Sequence, residues 1–168
     1  MRLAEILKLG IVLLLCAACG KNGQTRSAWP AVVVQISDVS PEEREMVLSS
    51  ITNLNEQLGS AVIDVGVDRG NYAIAIRKVT PSSETINRAG LATFDDRYCE
   101  VELNSAIFGN RKVVFEPVLW HELGHCAGLP HDSKPGEVMY HSASPDGIYS
   151  SAALNRFFKA FASATKID

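Results

Sequence analysis

The stretch HELGHCAGLPH, His121 to His131, limits what this chain can fold into more than any other. All four histidines of the chain lie between His121 and His141. On a helix, residues four apart are about 40° apart around the axis and one turn along it, so His121 and His125 aim at a common point. Glu122 stands beside them, able to reach a water at that point without being a ligand. Gly128 suits the end of such a helix, because glycine takes positive φ at no steric cost, and the turn it permits brings His131 round as a third ligand. Three imidazoles with a fourth position left to water make up a catalytic zinc site. The pattern therefore predicts a helix over about Glu116 to Ala127, one bound Zn2+ and a general base, Glu122. A bare HExxH arises by chance on many helices; Gly128, His131 and the later Met139 are what make this one specific.

The N-terminus reads as a targeting segment. MRLAEILK carries Arg2 and Lys8, LGIVLLLCAA is apolar, and Cys19 follows the small residues Ala17 and Ala18, which is the plan of a secretory signal. The apolar run is about half of the roughly 20 residues that span a bilayer, so export is expected rather than a membrane-spanning helix. Ala17-Ala18-Cys19-Gly20 resembles a bacterial lipoprotein signal, in which the peptide is removed before a cysteine that then carries lipid, here Cys19. Cys16 replaces the usual Leu three residues upstream, and plain cleavage after Ala18 is the alternative. The expected organisation is a signal peptide over 1–18, a polar tether over 19–30 and one catalytic domain over 31–168, held at a bacterial envelope rather than freely secreted. Export also leaves Cys99 and Cys126 in an oxidising compartment, where they form either a disulfide or two buried thiols. Each shares a stripe with core residues, Cys126 with Leu119 and Leu123, Cys99 with Val101 and Leu103, so the disulfide is the expectation.

A chain of 168 residues suits one domain with its own core. Its charged fraction of 21% and net charge of -3 include no basic block, so nucleic acid is not an expected partner. The expected state is a monomer. AVVVQIS, Ala31 to Ser37, reads as a buried strand. Ser40 caps a helix from Pro41 with Glu42 and Glu43 in its first turn, and Met46, Val47, Ile51, Leu54 and Leu58 follow at helical spacing up to a stop at Gly59. SAVIDVGV and NYAIAIRKV alternate on either side of Asp68-Arg69-Gly70 and are expected to pair as a hairpin. Gly90 to Phe94 and Tyr98 to Leu103 are two more strands, and SSAALNRFFKAFASAT has a helical period. Asp64, Asp68, Asp95 and Asp96 are too scattered to assign a calcium site.

HELGHCAGLPH matches every fixed position of HExxHxxGxxH, and Met139 follows. In this the chain resembles the metzincin metallopeptidases, which carry that signature before a methionine-containing turn. Met139 falls eight residues after His131 and precedes Tyr140, a spacing most similar to that of the matrix metalloproteases. The likeness is sharp from His121 to Tyr140 and elsewhere covers only the order of elements. It implies an α+β, metzincin-like catalytic domain: a mixed twisted β-sheet with two long helices, the active-site helix, a Met-turn and a C-terminal helix. It further implies a zinc endopeptidase acting on protein or peptide, with His121, His125 and His131 on the metal, Glu122 as base, Met139 beneath the zinc and the substrate extended along an edge strand, for which Gly90 to Phe94 is the candidate. The alternative is an exported zinc-containing binding lipoprotein that cleaves nothing. Matrixins have Pro two residues after the methionine, whereas this chain has His141; astacins and serralysins have a Tyr there that helps at the metal, so His141 is expected to face the cleft and donate to the developing oxyanion. No inhibitory propeptide or cysteine-switch latency is expected.

Overall fold

The computed structural model describes residues 31–58, 61–67, 72–83, 88–95, 97–109 and 112–140, together with Ala152 and Asn155. β1 (Ala31–Ser37) is the apolar run, and Ala31, Val32 and Val33 are buried. Asp38, at φ 59°, turns the chain out of the strand. α1 (Pro41–Leu58) then starts on a reciprocal cap: the Glu43 N–H donates to Ser40 Oγ at 3.3 Å, and the Ser40 N–H donates to Glu43 Oε2 at 2.7 Å. Val47, Ile51 and Leu54 form its buried stripe. The chain returns into β2 (Ile63–Val65), where Asn55 of α1 accepts from the Val62 and Ile63 N–H groups and donates to the Ile63 carbonyl at 2.7 Å.

β3 (Ala73–Val79), β4 (Gly90–Phe94) and β5 (Tyr98–Asn104) complete a five-stranded sheet of order β2-β1-β3-β5-β4. Four strands run parallel, and β4 is antiparallel to β5 at the edge. This corrects the expected hairpin: the two alternating segments do not pair with each other, because β1 lies between β2 and β3, parallel to both. The physical reason is burial. β1 has apolar residues on both faces and belongs inside a sheet, whereas in β2 only Ile63 is buried, which suits an edge.

α2 (Ser105–Gly109), not foreseen, follows β5 directly, with Asn104 Oδ1 accepting from the Ala106 N–H at 2.9 Å as its cap. α3 (Lys112–Cys126) begins about one turn before the expected Glu116 and carries Pro117 inside it. The helix thus runs through its proline, which costs one backbone bond to the preceding turn. Val118, Leu119, Leu123 and Cys126 join Val47, Ile51 and Leu54 of α1 and Ile74, Ile76, Val101 and Leu103 of the sheet in one core, so α1 and α3 cover the same face. Trp120 Nε1 donates to the Ser50 carbonyl at 3.1 Å, and Asn53 Nδ2 to Glu116 Oε2 at 2.8 Å, fixing helix on helix. On the opposite face Arg77 of β3 is paired to Glu100 and Glu102 of β5. The result is the mixed α+β, metzincin-like architecture expected from the sequence. Among the described residues no helix is long and apolar enough to cross a membrane.

Candidate metal centre

Leu119 and Leu123 anchor one side of α3 in the core, which leaves His121 and His125 half-buried on another side. The helix then ends in a Schellman turn. Gly128 has φ 76°, its N–H donates to the His125 carbonyl at 2.7 Å, and the Leu129 N–H reaches back to the Gly124 carbonyl at 2.9 Å. That turn delivers the exposed His131 to the other two imidazoles. His125 Nε2 lies 3.1 Å from both His121 Nε2 and His131 Nε2.

The opposite nitrogens explain this convergence. His121 Nδ1 lies 2.7 Å from the Val138 carbonyl oxygen and His125 Nδ1 2.8 Å from that of Leu129. A carbonyl only accepts, so each Nδ1 carries the proton and each Nε2 presents a lone pair. Lone pairs 3.1 Å apart with no proton between them repel, and a shared cation removes the conflict. Tetrahedral Zn–N bonds of about 2.0 to 2.1 Å place ligand nitrogens roughly 3.3 Å apart, so the donor set fits zinc. Among the described residues, these three side chains are the group able to share one metal ion. Burial holds His121 down at about 4 and also lowers His125, which keeps both neutral and ready to ligate at neutral pH.

The segment after His131 closes back on it. The Asp132 N–H donates to the Met139 carbonyl at 2.8 Å and the Tyr140 N–H to the Glu137 carbonyl at 3.0 Å, while Gly136 at φ 83° allows the turn. Val138 and Met139 are buried, so the carbonyl that orients His121 belongs to a packed turn. Below the helix end, Cys126 is bonded to Cys99 of β5, with an S–S distance of 2.03 Å and a Cα separation of 5.6 Å. The residue next to a metal-facing histidine is thereby fixed to the sheet.

Glu122 is buried, and that burial pushes its carboxyl up to about 7; the Ala92 backbone N–H of β4 and the Arg88 charge pull in the other direction. The carboxyl therefore lies against the edge strand, on the helix residue that follows His121. Its location suits a group that takes and returns a proton near neutrality.

The structure thus brings His121, Glu122, His125 and His131 together, with Met139 in the turn that orients one of them. His141, Cys19 and most of the expected C-terminal helix lie outside the described residues; Ala152 and Asn155 are helical. Sequence reasoning missed Val138, Leu129 and Ala92, whose backbone atoms make the contacts and whose side-chain identity therefore carries no signal. It also missed Arg88, which nothing in the local pattern ties to Glu122.

No curated protein matches the chain. Among solved structures, the 1.5 Å crystal structure of an archaemetzincin from Methanopyrus kandleri is similar, with a TM-score of 0.52 and 14% identity over 84% of this chain and 98% of that one. That likeness concerns the fold. A family model described as matrixin matches residues 49–152, a span that contains the histidine cluster, Glu122, the closing turn and the sheet from β2 to β5. With more than half of its length so matched, around the histidine motif, this chain belongs to the matrixin family.

Proposed function

We propose that this chain is a zinc-dependent endopeptidase. The observation that carries the reading is the convergence of three Nε2 atoms, two of them left unprotonated by backbone carbonyls that hold the proton on Nδ1, on a helix that also carries a buried carboxyl beside the first histidine. A zinc ion held by His121, His125 and His131 would supply a Lewis acid that makes water a nucleophile near neutral pH and polarises a carbonyl. Glu122 receives the proton of the attacking water on its carboxylate and passes it to the departing amine nitrogen. A carboxyl raised by burial suits both halves of that transfer, since it must be ionised before attack and acidic enough to release the proton after it.

The edge strand supports the reading for a peptide substrate. Ala89 and Asp95 bond to β5 through their backbones, so along a regular antiparallel ladder Gly90 and Phe94 direct N–H and C=O groups, and Ala92 its C=O, to the side away from β5, which no strand covers among the described residues; the Ala92 N–H goes to Glu122. An extended peptide adds there as a further strand, and its backbone is held beside Glu122.

Glu122→Gln separates the two remaining possibilities. It should lower cleavage of a peptide library by at least about 1,000-fold while one zinc per chain is retained, whereas His121→Ala should lose the zinc itself. If the zinc-loaded wild type cleaves no peptide in the library, the endopeptidase reading is wrong and a zinc-containing binding protein takes its place.

A further inference from the structure

Gly90 begins the edge strand and has no positive φ to account for it. A glycine within a strand costs stability, and where backbone geometry does not require it, close approach by another group is the usual reason. Here the approaching group is identified. A Cβ built on Gly90 would lie 2.6 Å from Glu122 Oε1, 2.8 Å from its Cγ and 3.0 Å from its Cδ. Real Cβ atoms essentially never approach so closely, and all three nearest atoms belong to one side chain.

The register gives the reason. Gly90, Ala92 and Phe94 lie opposite Leu103, Val101 and Cys99, which are buried under the helices, so the three share the face turned to α3. Along that face the side chains run from hydrogen to methyl to phenyl. Glu122 enters at the end without a side chain, and its carboxyl takes the Ala92 N–H from there. Glu122 cannot retreat along its own helix, because α3 is fixed by Leu119 and Leu123 in the core and by the disulfide at Cys126.

We infer that Gly90 is a positioning residue for the general base: the space where its side chain would be is the space in which the Glu122 carboxylate is held against β4. The inference rests on the reading of Glu122 as the base. A methyl group at position 90 would drive the carboxylate away from the strand that carries the substrate, leaving zinc ligation and peptide pairing in place.

The test is a pair of measurements on the full zinc-loaded chain. Gly90→Ala should lower kcat at least about tenfold with KM within about threefold and zinc stoichiometry unchanged. Gly66→Ala, at a glycine with nothing within 4 Å, should leave both unchanged. The second measurement is a thermal-unfolding cycle with Glu122→Ala, which removes all three atoms that a Cβ at position 90 would meet. Gly90→Ala should lower Tm by several degrees when Glu122 is present and by about one degree or less when it is not. An unchanged kcat, or an equal loss of Tm in both backgrounds, would overturn the inference. If the wild type proves inactive on peptides, the proposed function fails, and the unfolding cycle alone decides whether Gly90 positions Glu122.

Discussion

Glu122 and His121 are neighbours on one helix, and burial acts on them with opposite sign. The carboxyl of Glu122 is raised from 4.5 to about 7, so between those values the folded metal-free chain binds more protons than the unfolded one, and stability falls as pH rises through that window. His121 is lowered from 6.5 to about 4, so there the folded chain binds fewer protons, and stability rises with pH over that range. Glu122→Gln should therefore stabilise the metal-free protein above pH 7 by on the order of 2–3 kcal/mol and have little effect near pH 4; urea unfolding at the two pH values measures it. Equal midpoint shifts at both would show that ionisation is not the cause. For His141, outside the described residues, the role proposed from the sequence is donation to the developing oxyanion. His141→Phe should then lower kcat roughly tenfold to a hundredfold with zinc affinity unchanged. His121 and His125 were legible because their spacing on a helix is itself the geometry, and His131 because Gly128 marks the turn that brings it back. Gly90 left only the weaker signal of a glycine inside a strand, and the Leu129 and Val138 carbonyls left none, since every residue has one.

At the scale of elements, α3 is fixed at its C-terminal end by two devices: the Schellman turn at Gly128 and the Cys99–Cys126 bond to β5. The bond closes a separation of 27 residues, for which chain entropy gives about 3–4 kcal/mol of stabilisation. Replacing both cysteines by Ala should cost about that much in urea unfolding, and zinc affinity should fall as well, because Cys126 directly follows His125. Unchanged zinc affinity in the double variant would mean that the turn alone holds the ligand end of the helix. Local signals placed β1, α1, β4 and β5 nearly to the residue, since capping and alternation are properties of short stretches. They failed for the start of α3, where Pro117 resembles a first-turn residue but is carried inside the helix by the packing of its neighbours.

For the whole molecule, the proposed zinc ties together parts that the sheet does not. Two ligands come from α3 and one from the segment beyond it, and the carbonyls that orient them belong to the turns on either side of His131. Saturating zinc at about a thousand times its Kd should add about 4 kcal/mol to stability, lost on chelation. Hydrogen exchange on chelation should quicken most over 128–140 and least in α1; a uniform response would show that the metal stabilises the fold as one unit. By itself the sequence determined the histidine cluster, the carboxyl beside it, the reach of α1 and most of the strands, because each depends on chemistry within a short stretch of chain. Only the tertiary structure decided the rest. Strand partners are chosen by which faces must leave water, so β1 went between β2 and β3 where a hairpin seemed locally sufficient. The fit of Glu122 into the space at Gly90 likewise joins residues far apart in the chain, and neither residue alone specifies it.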